Sequence, residues 1–396
     1  MEYLSLYKAH FINSIDEKNI YFDRFNASNT IHFPINIQNN ESFLYLNNEL
    51  LVLLEKIQFL NSEIIKKRYD TNTNLIKIWE LYHSLVEEIV ITNELEGVVS
   101  TRKEVSDLLY VKKPKEYKRL YGLVNKYRNI FNQENNFKPL NDPLDLRKTY
   151  DDILLQDIEK EDPNNIPDGL IFRKDVVEVK SSTKTIHTGL YPESEVINTT
   201  KKALDLLNNK NIPALIRIAC FHYFLGYIHP FYDGNGRISR YISSYYLSQI
   251  LDPIASLRLS IACKKRQNDY YKAFKITNDI RNKGDITYFV LLFLDIYKDE
   301  LESYLQDLYD KVDQSNYYKN KQSTLKLDSS SKKILTIITD YTLFHLQNIE
   351  INKLVELTDL SKSTISNKIG ILEKTGYIIR HREGKQTTFS FNLDSL

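Results

Sequence analysis

The stretch from His229 to Arg240 reads His-Pro-Phe-Tyr-Asp-Gly-Asn-Gly-Arg-Ile-Ser-Arg. It lies between two apolar segments, 214–228 and 238–251, whose length and composition are typical of helices, so a loop that leads into a helix is predicted. A glycine-rich loop before a helix directs backbone N–H groups at one point, and the helix dipole favours negative charge there. Its glycines permit positive φ and the close approach of a ligand. The stretch therefore predicts a helical fold built around an anion site.

The side chains of this stretch are those that a metal-bound polyphosphate requires. Arg237 and Arg240 share one face of the predicted helix, and their planar guanidinium groups suit phosphate oxygens. Asp233 supplies the hard oxygen ligand that a phosphate-bound Mg²⁺ takes. His229, with an ordinary pKa of about 6.5, can accept a proton at neutral pH. Together these residues indicate a site for a metal-bound polyphosphate with a general base beside it.

The same stretch resembles the signature His-x-Phe-x-Asp/Glu-Gly-Asn-Gly-Arg-x-x-Arg of Fic proteins. Every specified position is matched, by His229, Phe231, Asp233, Gly234, Asn235, Gly236, Arg237 and Arg240. A match of this extent is far more specific than a lone glycine-rich turn. The resemblance implies a mainly α fold, in which a Fic helical core carries a small β-hairpin flap.

Most Fic proteins move AMP from ATP to a hydroxyl side chain of a target protein. The resemblance therefore implies a protein adenylyltransferase that uses Mg²⁺ and ATP and modifies a Ser, Thr or Tyr of a target protein or of itself. His229 would be the catalytic base, and Asp233 would hold the metal. ATP would be bound by Gly234, Asn235, Gly236, Arg237 and Arg240. The glycine at 236 favours AMP transfer, since family members that phosphorylate their targets carry lysine there.

A second motif precedes the core. Apolar residues spaced for one helix face over 72–96 predict a helix that ends at Gly97. Its last residues, Thr92-Asn93-Glu94-Leu95-Glu96-Gly97, resemble the Ser/Thr-x-x-x-Glu-Gly/Asn motif of the inhibitory helix in one class of Fic proteins. The resemblance implies that Glu96 pairs with Arg240, through charge-assisted hydrogen bonds of about 1.5–3 kcal/mol each, and excludes the γ-phosphate. Members with this glutamate can also remove AMP, and a plain glycine-capped helix is the alternative interpretation.

Two features of the core are predicted from local pattern and family position. Alternating residues at 172–180 and 185–190 predict strands on either side of the polar turn Ser181–Lys184. The family places its flap there and holds the target by strand addition. Tyr270 and Tyr271 lie where the family contributes residues that face adenine.

The chain is too long, at 396 residues, for one compact core, so two or three domains are expected. Prolines and runs of Asn and Asp predict turns over 133–168. The predicted division is an N-terminal segment with the inhibitory helix at 1–110, the catalytic core at 111–312, a polar linker at 313–330 and a C-terminal domain at 331–396.

The C-terminal domain resembles a winged helix-turn-helix. Three helix candidates precede two strand candidates; their ranges are 332–341, 351–357, 361–374, 377–381 and 387–392. Such modules set the helix after the turn into the major groove of DNA. Polar and basic residues would face the DNA from this helix and the wing: Lys362, Ser363, Thr364, Asn367, Lys368, Arg380, Arg382 and Lys385. Nine Lys and Arg against seven Asp and Glu leave a balance of only +2, so protein contact or dimerisation stays open beside DNA binding.

Bulk composition excludes little. Lys and Arg number 53 against 52 Asp and Glu, so no global charge favours nucleic acid or membrane. Cys220 and Cys263 stand among apolar residues, which predicts free thiols and a cytoplasmic location. The N-terminus lacks a signal-peptide pattern, and no apolar stretch reaches the ~20 residues of a membrane span. No membrane partner is expected, and a homodimer stays open.

Two other functions remain as alternatives at this point. His222 precedes His229 by seven residues, so both can share a helix face and, with Asp233, form the ligand set of a metal-dependent hydrolase. That assignment leaves two arginines and an anion nest without a role, so a core position is the favoured interpretation of His222. The other alternative is a DNA-binding transcription regulator whose Fic-like core only senses nucleotide.

Overall fold

The architecture comes from a computed structural model, which describes residues 3–12, 15–70, 79–134, 137–180, 185–344, 348–384 and 386–396. The chain divides into two units. The first comprises Met1–Ser62 and Ser84–Glu302, and the second comprises Glu63–His83 and Ser303–Leu396. Among the residues so described, helices dominate and strands occur only in antiparallel pairs, so the predicted mainly α fold is confirmed. Within these ranges, no helix has the length and apolarity needed to cross a bilayer.

Two short helices, a β-hairpin that was not predicted and a long helix form the first part of the first unit. Its elements are α1 (Leu6–Ala9), α2 (Glu17–Phe25), β1 (Thr30–Ile37), β2 (Asn40–Tyr45) and α3 (Asn48–Asp70), the last of which continues into the second unit. Alternate residues of β1 are buried, namely Phe33, Ile35 and Ile37. The two residues between the strands both have positive φ, the geometry of a tight hairpin turn.

The predicted helix over 72–96 is only partly observed. Residues 72–78 lie outside the described ranges, a π-helical turn occupies Leu81–Val86, and helix α4 spans Glu87–Glu94. The chain then leaves the helix through Gly97, whose φ is +74°, while the N–H of Val98 donates to the Asn93 carbonyl at 3.0 Å. This six-to-one bond is that of a Schellman turn, which explains the glycine.

The remaining helices of the first unit enclose one central helix. They are α5 (Arg102–Leu109), α6 (Tyr121–Phe131), α7 (Pro143–Tyr150), α8 (Gln156–Glu161), α9 (Glu193–Asn208), α10 (Ala214–Ile228), α11 (Asn235–Leu247), α12 (Pro253–Ser256), α13 (Leu259–Lys265), α14 (Gln267–Thr277) and α15 (Thr287–Ser323), the last of which continues into the second unit after Glu302. Twelve of the 15 residues of α10 are buried, so this helix is covered on nearly all sides and not along one stripe only. It fixes the position at which the motif loop begins.

A short hairpin lies before α9. Strand β3 (Glu178–Lys180) pairs antiparallel with β4 (Thr185–Thr188), with Glu178 opposite Thr188. The predicted turn Ser181–Lys184 lies outside the described residues. The first strand is shorter than the predicted 172–180, because residues 168–175 form a loop whose polar groups bond to neighbouring segments instead of to a partner strand.

The second unit ends in three helices and a hairpin. They are α16 (Ser329–Leu343), α17 (Ile351–Thr358), α18 (Lys362–Lys374), β5 (Ile378–Glu383) and β6 (Gln386–Phe391). Apolar residues from all five elements share one core, among them Ile338, Leu354, Ile369, Ile378 and Phe389. The order of elements follows the sequence-based expectation, while the winged helix-turn-helix stays an interpretation of these elements.

The predicted polar linker at 313–330 is wrong over most of its length. Helix α15 continues to Ser323, and α16 begins at Ser329. Polar side chains of the α15 end are buried against α16, where Ser315 bonds to Asp340 at 2.8 Å and Gln322 bonds to Thr339 at 2.6 Å. A polar composition indicated solvent exposure, but hydrogen bonding between helices satisfies these groups inside the unit.

Candidate active site

The motif loop joins α10 to α11. His229 ends α10 in the left-handed conformation, with φ of +54°, and its N–H still bonds to the Leu225 carbonyl at 3.0 Å. Gly234 begins α11 with φ of +80°, a value that side-chain-bearing residues rarely adopt. Because both residues have positive φ, the chain turns sharply at each end of the loop. His229 and the first turn of α11 therefore belong to one site.

Aromatic packing and one amide hold the loop. Phe231 is fully buried, stacks on Tyr150 with ring centroids 3.7 Å apart, and meets Phe172 edge-on at 5.3 Å. The side chain of Asn235 accepts from the Phe231 N–H at 3.0 Å and donates to its carbonyl at 2.8 Å. The Tyr150 hydroxyl donates to the Asp233 carbonyl at 3.1 Å. The Asn235 amide is therefore engaged in closing the loop, and only its backbone N–H remains to face a ligand.

The first turn of α11 presents donors to an anion. Its first intrahelical bond runs from the Ile238 N–H to the Gly234 carbonyl at 3.0 Å, so the N–H groups of residues 235–237 have no partner within the helix, while the Gly234 N–H donates to the Asp233 carboxylate. Arg237 is fully buried beneath this end and donates to Asp233 at 3.2 Å. Its Nε and Nη1 have no hydrogen-bond partner among the described residues. Buried donors left in this way are costly, so the geometry fits an added anion at this point.

Arg240 is paired with the preceding segment. Its Nη2 donates to a Glu96 carboxylate oxygen at 2.8 Å and to the Thr92 carbonyl at 2.9 Å, while its Nε donates to the Thr92 hydroxyl at 2.8 Å. A Cβ added to Gly236 would lie only 2.0 Å from the same Glu96 oxygen. The Glu96 carboxylate therefore lies directly against the backbone of the first turn of α11, where an anion would meet the N–H groups.

A buried carboxylate anchors α4 to a neighbouring helix. Glu88 is fully buried and accepts from the Ser260 N–H at 2.8 Å, the Ser260 hydroxyl at 2.7 Å and the Ile261 N–H at 3.4 Å, all at the start of α13. Burial raises the pKa of Glu88 to about 7, and its hydrogen bonds oppose that shift. Glu88, Thr92 and Glu96 are spaced by four residues, so the anchor and the Arg240 contacts belong to one helix face.

His229 can act as a base at neutral pH. Its side chain is half-buried, and burial lowers the pKa of its imidazole to about 4, with the nearby His187 and Arg173 acting in the same direction. A hydrogen bond to the Gly226 carbonyl and the charge of Asp233 oppose the shift. The imidazole is therefore neutral at pH 7, the state in which it can accept a proton.

His222 and Tyr270 belong to one buried hydrogen-bond network. His222 is buried, with Nδ1 2.9 Å from the Ser243 hydroxyl and Nε2 2.7 Å from the Tyr270 hydroxyl. Both ring nitrogens are engaged, so the His222, His229 and Asp233 metal set of the hydrolase alternative is not formed; nor do the described residues bring any three His, Cys, Asp or Glu into metal-binding geometry. Tyr270 is buried in this network, whereas Tyr271 is 42% exposed and bonds to the Leu95 carbonyl at 3.2 Å.

Two residues that no motif indicates tie the loop to the hairpin. The Tyr232 hydroxyl donates to Asp168 at 2.9 Å and accepts from the Asp175 N–H at 3.0 Å. Arg173, fully buried, donates to the His229 carbonyl at 2.9 Å. The side-chain partners of Arg173 are backbone carbonyls, which every residue carries, so a residue pattern does not indicate them.

Comparison with known proteins agrees with this geometry. Residues 141–247 match the profile of the Fic/DOC family. The protein adenylyltransferase Fic of Drosophila yakuba is 38% identical over 87 residues, which are 22% of this chain and 16% of the fly protein. Its counterpart in Drosophila erecta is 35% identical over 102 residues, which are 25% of this chain and 19% of that protein. The match thus spans less than a fifth of the length of these curated relatives.

The fold comparison extends further along the chain. A solved Fic family protein from Desulfovibrio desulfuricans G20 aligns with a TM-score of 0.54 at 17% identity, over 88% of this chain and 97% of that chain, which shows a likeness of fold. The matched segment at 141–247 contains the complete motif from His229 to Arg240, while Glu96 lies outside it. The chain therefore carries a Fic/DOC domain, and the loop between α10 and α11 is the signature of that domain.

Proposed function

We propose that this protein is a protein adenylyltransferase, which transfers AMP from Mg·ATP to a Ser, Thr or Tyr hydroxyl of a target protein or of itself, and that Glu96 holds it inactive. The observation that carries the proposal is Arg237, a buried guanidinium with two nitrogens unpartnered among the described residues beneath a helix N-terminus. A bound anion would satisfy these unpartnered donors, and a polyphosphate supplies several oxygens that can accept from them.

Each motif residue has a task in this reaction. The neutral His229 imidazole takes the proton of the attacking hydroxyl, whose oxygen bonds to the α-phosphorus while the bond to the bridging oxygen breaks and pyrophosphate leaves. General base catalysis of this kind contributes ~10²–10⁴ in rate. The N–H groups of residues 234–236 bind phosphate oxygens, and Arg237 and Arg240 neutralise the departing charge.

Asp233 is suited to a magnesium ion bound together with the nucleotide. Magnesium takes oxygen ligands and is held in such sites by one or two carboxylates and the substrate phosphates. The Asp233 side chain is 37% exposed and lies beside the helix end, so one protein carboxylate faces the place where the phosphates would lie. When bound, the ion neutralises phosphate charge.

Glu96 accounts for the inactive state. Its carboxylate occupies one Nη of Arg240 and lies against Gly236, so the γ-phosphate loses both its arginine and its place at the helix end. The negative charge also repels the phosphate. Nucleotide displaced by about 1 Å from in-line attack reacts ~100-fold more slowly.

Labelling with ATP that carries its label on the α-phosphate tests the proposal. Glu96→Gly should label itself or a lysate protein ~100-fold faster than the wild type, because Arg240 becomes free to hold the γ-phosphate. Glu94→Gly is the matched control, since Glu94 belongs to the same helix end but pairs with Lys264 at 3.0 Å, away from the motif. It should label as slowly as the wild type.

Two further variants complete the design. Arg240→Ala should be inactive whichever residue occupies position 96, because the arginine serves the phosphate once the glutamate is gone. Equal labelling by wild type and Glu96→Gly across a range of ATP concentrations would favour a plain capped helix over an inhibitory one. No α-label on protein with any variant would remove adenylyl transfer and leave nucleotide sensing as the function of the core.

A further inference from the structure

Arg173 is an unusual buried cation. Its side chain is fully buried, and it forms no ion pair with a carboxylate of the described residues. Burial lowers the pKa of its guanidinium. A buried charge is retained only where hydrogen bonds replace the lost water, so the acceptors around Arg173 define what it does.

These acceptors are backbone carbonyls from three segments. Nη1 donates to the Asp175 carbonyl at 2.6 Å, before β3; Nη2 donates to the Leu190 carbonyl at 2.8 Å, after β4; and Nε donates to the His229 carbonyl at 2.9 Å. The Arg173 N–H also bonds to the Pro230 carbonyl at 3.3 Å. One guanidinium therefore joins the start of the hairpin, its end and the motif loop.

The contact to His229 lies at a constrained point of the backbone. His229 has φ of +54°, a conformation that residues with a side chain rarely adopt and that persists only where the surroundings impose it. The bond from Arg173 to its carbonyl is part of that constraint. Removing it allows the peptide to rotate, and the imidazole moves with it.

The hairpin end also touches His229 directly. A Cβ added to Gly189 would lie 2.5 Å from Arg173 Nη2 and 3.0 Å from His229 Cβ. A methyl group at position 189 therefore requires Arg173 or His229 to shift, and this residue, which follows β4, packs against both the guanidinium and the histidine.

We propose that Arg173 is a positioning residue, which sets the place of the His229 imidazole relative to the hairpin by bonding to the carbonyls of both. This inference rests on the proposed adenylyl transfer. It adds that base and hairpin form one unit, so that a hydroxyl held along the hairpin is presented at a fixed distance from the nitrogen that takes its proton. Displacement of about 1 Å in such an arrangement costs ~100-fold in rate.

The test uses the full chain in the Glu96→Gly background and ATP labelled on the α-phosphate. Arg173→Lys retains the positive charge but loses the planar guanidinium group that bonds to several carbonyls at once. Arg173→Met loses both the charge and this group. Gly189→Ala retains the arginine and displaces its hydrogen bonds. All three should lower the maximal labelling rate at least ~10-fold while the half-saturating ATP concentration stays within ~3-fold, since none of these residues belongs to the phosphate site.

The pH profile separates positioning from loss of folded protein. The charged and titratable groups around the His229 imidazole are Arg173, His187 and Asp233, and Arg173 helps to hold its pKa low. Arg173→Met should move the acid limb of the labelling rate toward higher pH, whereas Arg173→Lys should leave the limb in place. Loss of folded protein alone would lower the labelling rate by the same factor at every pH and would not shift the pH profile.

Controls distinguish this inference from the proposed function. Arg258→Lys alters another buried arginine, one that pairs with Glu300, and should lower the unfolding temperature without changing the labelling rate. Gly370→Ala, at a glycine with open space around it, should change neither. If Glu96→Gly itself does not label, the proposed function fails; if it labels and Arg173→Lys and Gly189→Ala label equally fast, the inference about Arg173 fails.

Discussion

At the scale of single residues, burial decides which groups are ready for chemistry. The imidazole of His229 is neutral at pH 7 because its enclosed position lowers its pKa to about 4. Arg237 is charged and buried with two nitrogens unpartnered among the described residues. The first group can take a proton and the second can take an anion, so the two halves of the proposed reaction are prepared by the same loop.

A prediction for His229 follows from this state. His229→Ala in the Glu96→Gly background should abolish labelling while ATP affinity stays within ~3-fold, because the imidazole acts on the hydroxyl and not on the phosphates. Titration of His229 should leave the labelling rate of Glu96→Gly constant from pH 8 down to about pH 5. Below that, the rate should fall as the pH passes the His229 pKa of about 4 and the base becomes protonated. Labelling by His229→Ala near the parent rate would remove it from this role.

The motif residues could be named from sequence because their order along one loop is itself the signal. For His222 the sequence left a metal ligand as the alternative to the favoured core position, and the residue is buried. Its spacing from His229 suggests one helix face, but α10 ends at Ile228 and the positive φ of His229 turns that side chain off the helix. Tyr270 is buried by packing between helices, and Arg173 works through backbone carbonyls, so neither role leaves a mark in a residue pattern.

At the scale of elements, the helix that carries Glu96 is held by its own anchor. Glu88 accepts three N–H or O–H bonds at the start of α13, two turns before Glu96. This anchor acts together with the bonds from Arg240 to Thr92 and from Tyr271 to the Leu95 carbonyl, which also hold the helix end that places Glu96 against Arg240. Loss of the anchor should therefore release the proposed inhibitory contact from a distance.

Glu88→Ala should accordingly raise labelling above the wild-type rate. Leaving buried donors of Ser260 and Ile261 without an acceptor costs about 1–3 kcal/mol, which corresponds to a shift of roughly 5- to 150-fold in the docking equilibrium. Glu87→Ala is the control, since Glu87 pairs with Arg102 on another face of the helix. Combined with Glu96→Gly, Glu88→Ala should add nothing; a Glu88→Ala rate equal to the wild type would mean that α4 does not need this anchor.

The same anchor should respond to pH. Docking raises the Glu88 pKa to about 7, while an undocked carboxyl has its ordinary pKa near 4.5, so between these values the docked form retains a proton that the undocked form has lost. Docking is thus weakened as pH rises from about 5 to 8, and wild-type labelling should approach that of Glu96→Gly. Glu88→Gln should make the ratio of the two rates independent of pH over this range.

Helices and strands could be predicted from the sequence where the periodicity of apolar residues and the signals for the ends of an element agree. The helices and strands after residue 328 match their predicted ranges closely, because each combines a clear period with an end signal. The turns expected over 133–168 are instead interrupted by α7 and α8, since Pro143 occupies the first helical position after the capping residue Asp142. The first hairpin escaped prediction because Pro34 lies inside β1, where a proline argues against a strand.

At the scale of the whole molecule, the second unit extends the protein beyond its Fic/DOC domain. Helix α18 presents an exposed Lys362, and the hairpin β5–β6 presents an exposed Arg382. Lys368 instead pairs with Asp328 at 3.0 Å, and Arg380 pairs with Glu373 at 2.7 Å. The sequence suggested all four for DNA contact, and these pairings reduce what two of them can give to phosphates.

Binding of the full chain to duplex DNA should reflect that difference. Anisotropy titrations with pooled genomic fragments should show an affinity that falls with salt, and Lys362→Ala and Arg382→Ala should each reduce the logarithmic salt slope by about 1. Lys368→Ala and Arg380→Ala should reduce it less. Lys201→Ala, which removes an α9 lysine paired with Asp205, is the control and should leave the slope unchanged. Failure to bind at low salt would favour protein contact as the role of this unit.

One consequence follows from the fact that Glu96 is part of the chain whose helix end it covers. A tethered competitor has a local concentration that dilution does not change. Any anion that requires the space above Gly236 therefore binds with its intrinsic affinity multiplied by the fraction of molecules from which the carboxylate has withdrawn; a fraction of ~1% weakens binding ~100-fold. An activator need not touch the phosphate site. It has only to bind more tightly to molecules in which the Glu96 carboxylate is withdrawn. The ratio of its affinities for the two states sets the largest activation that it can produce.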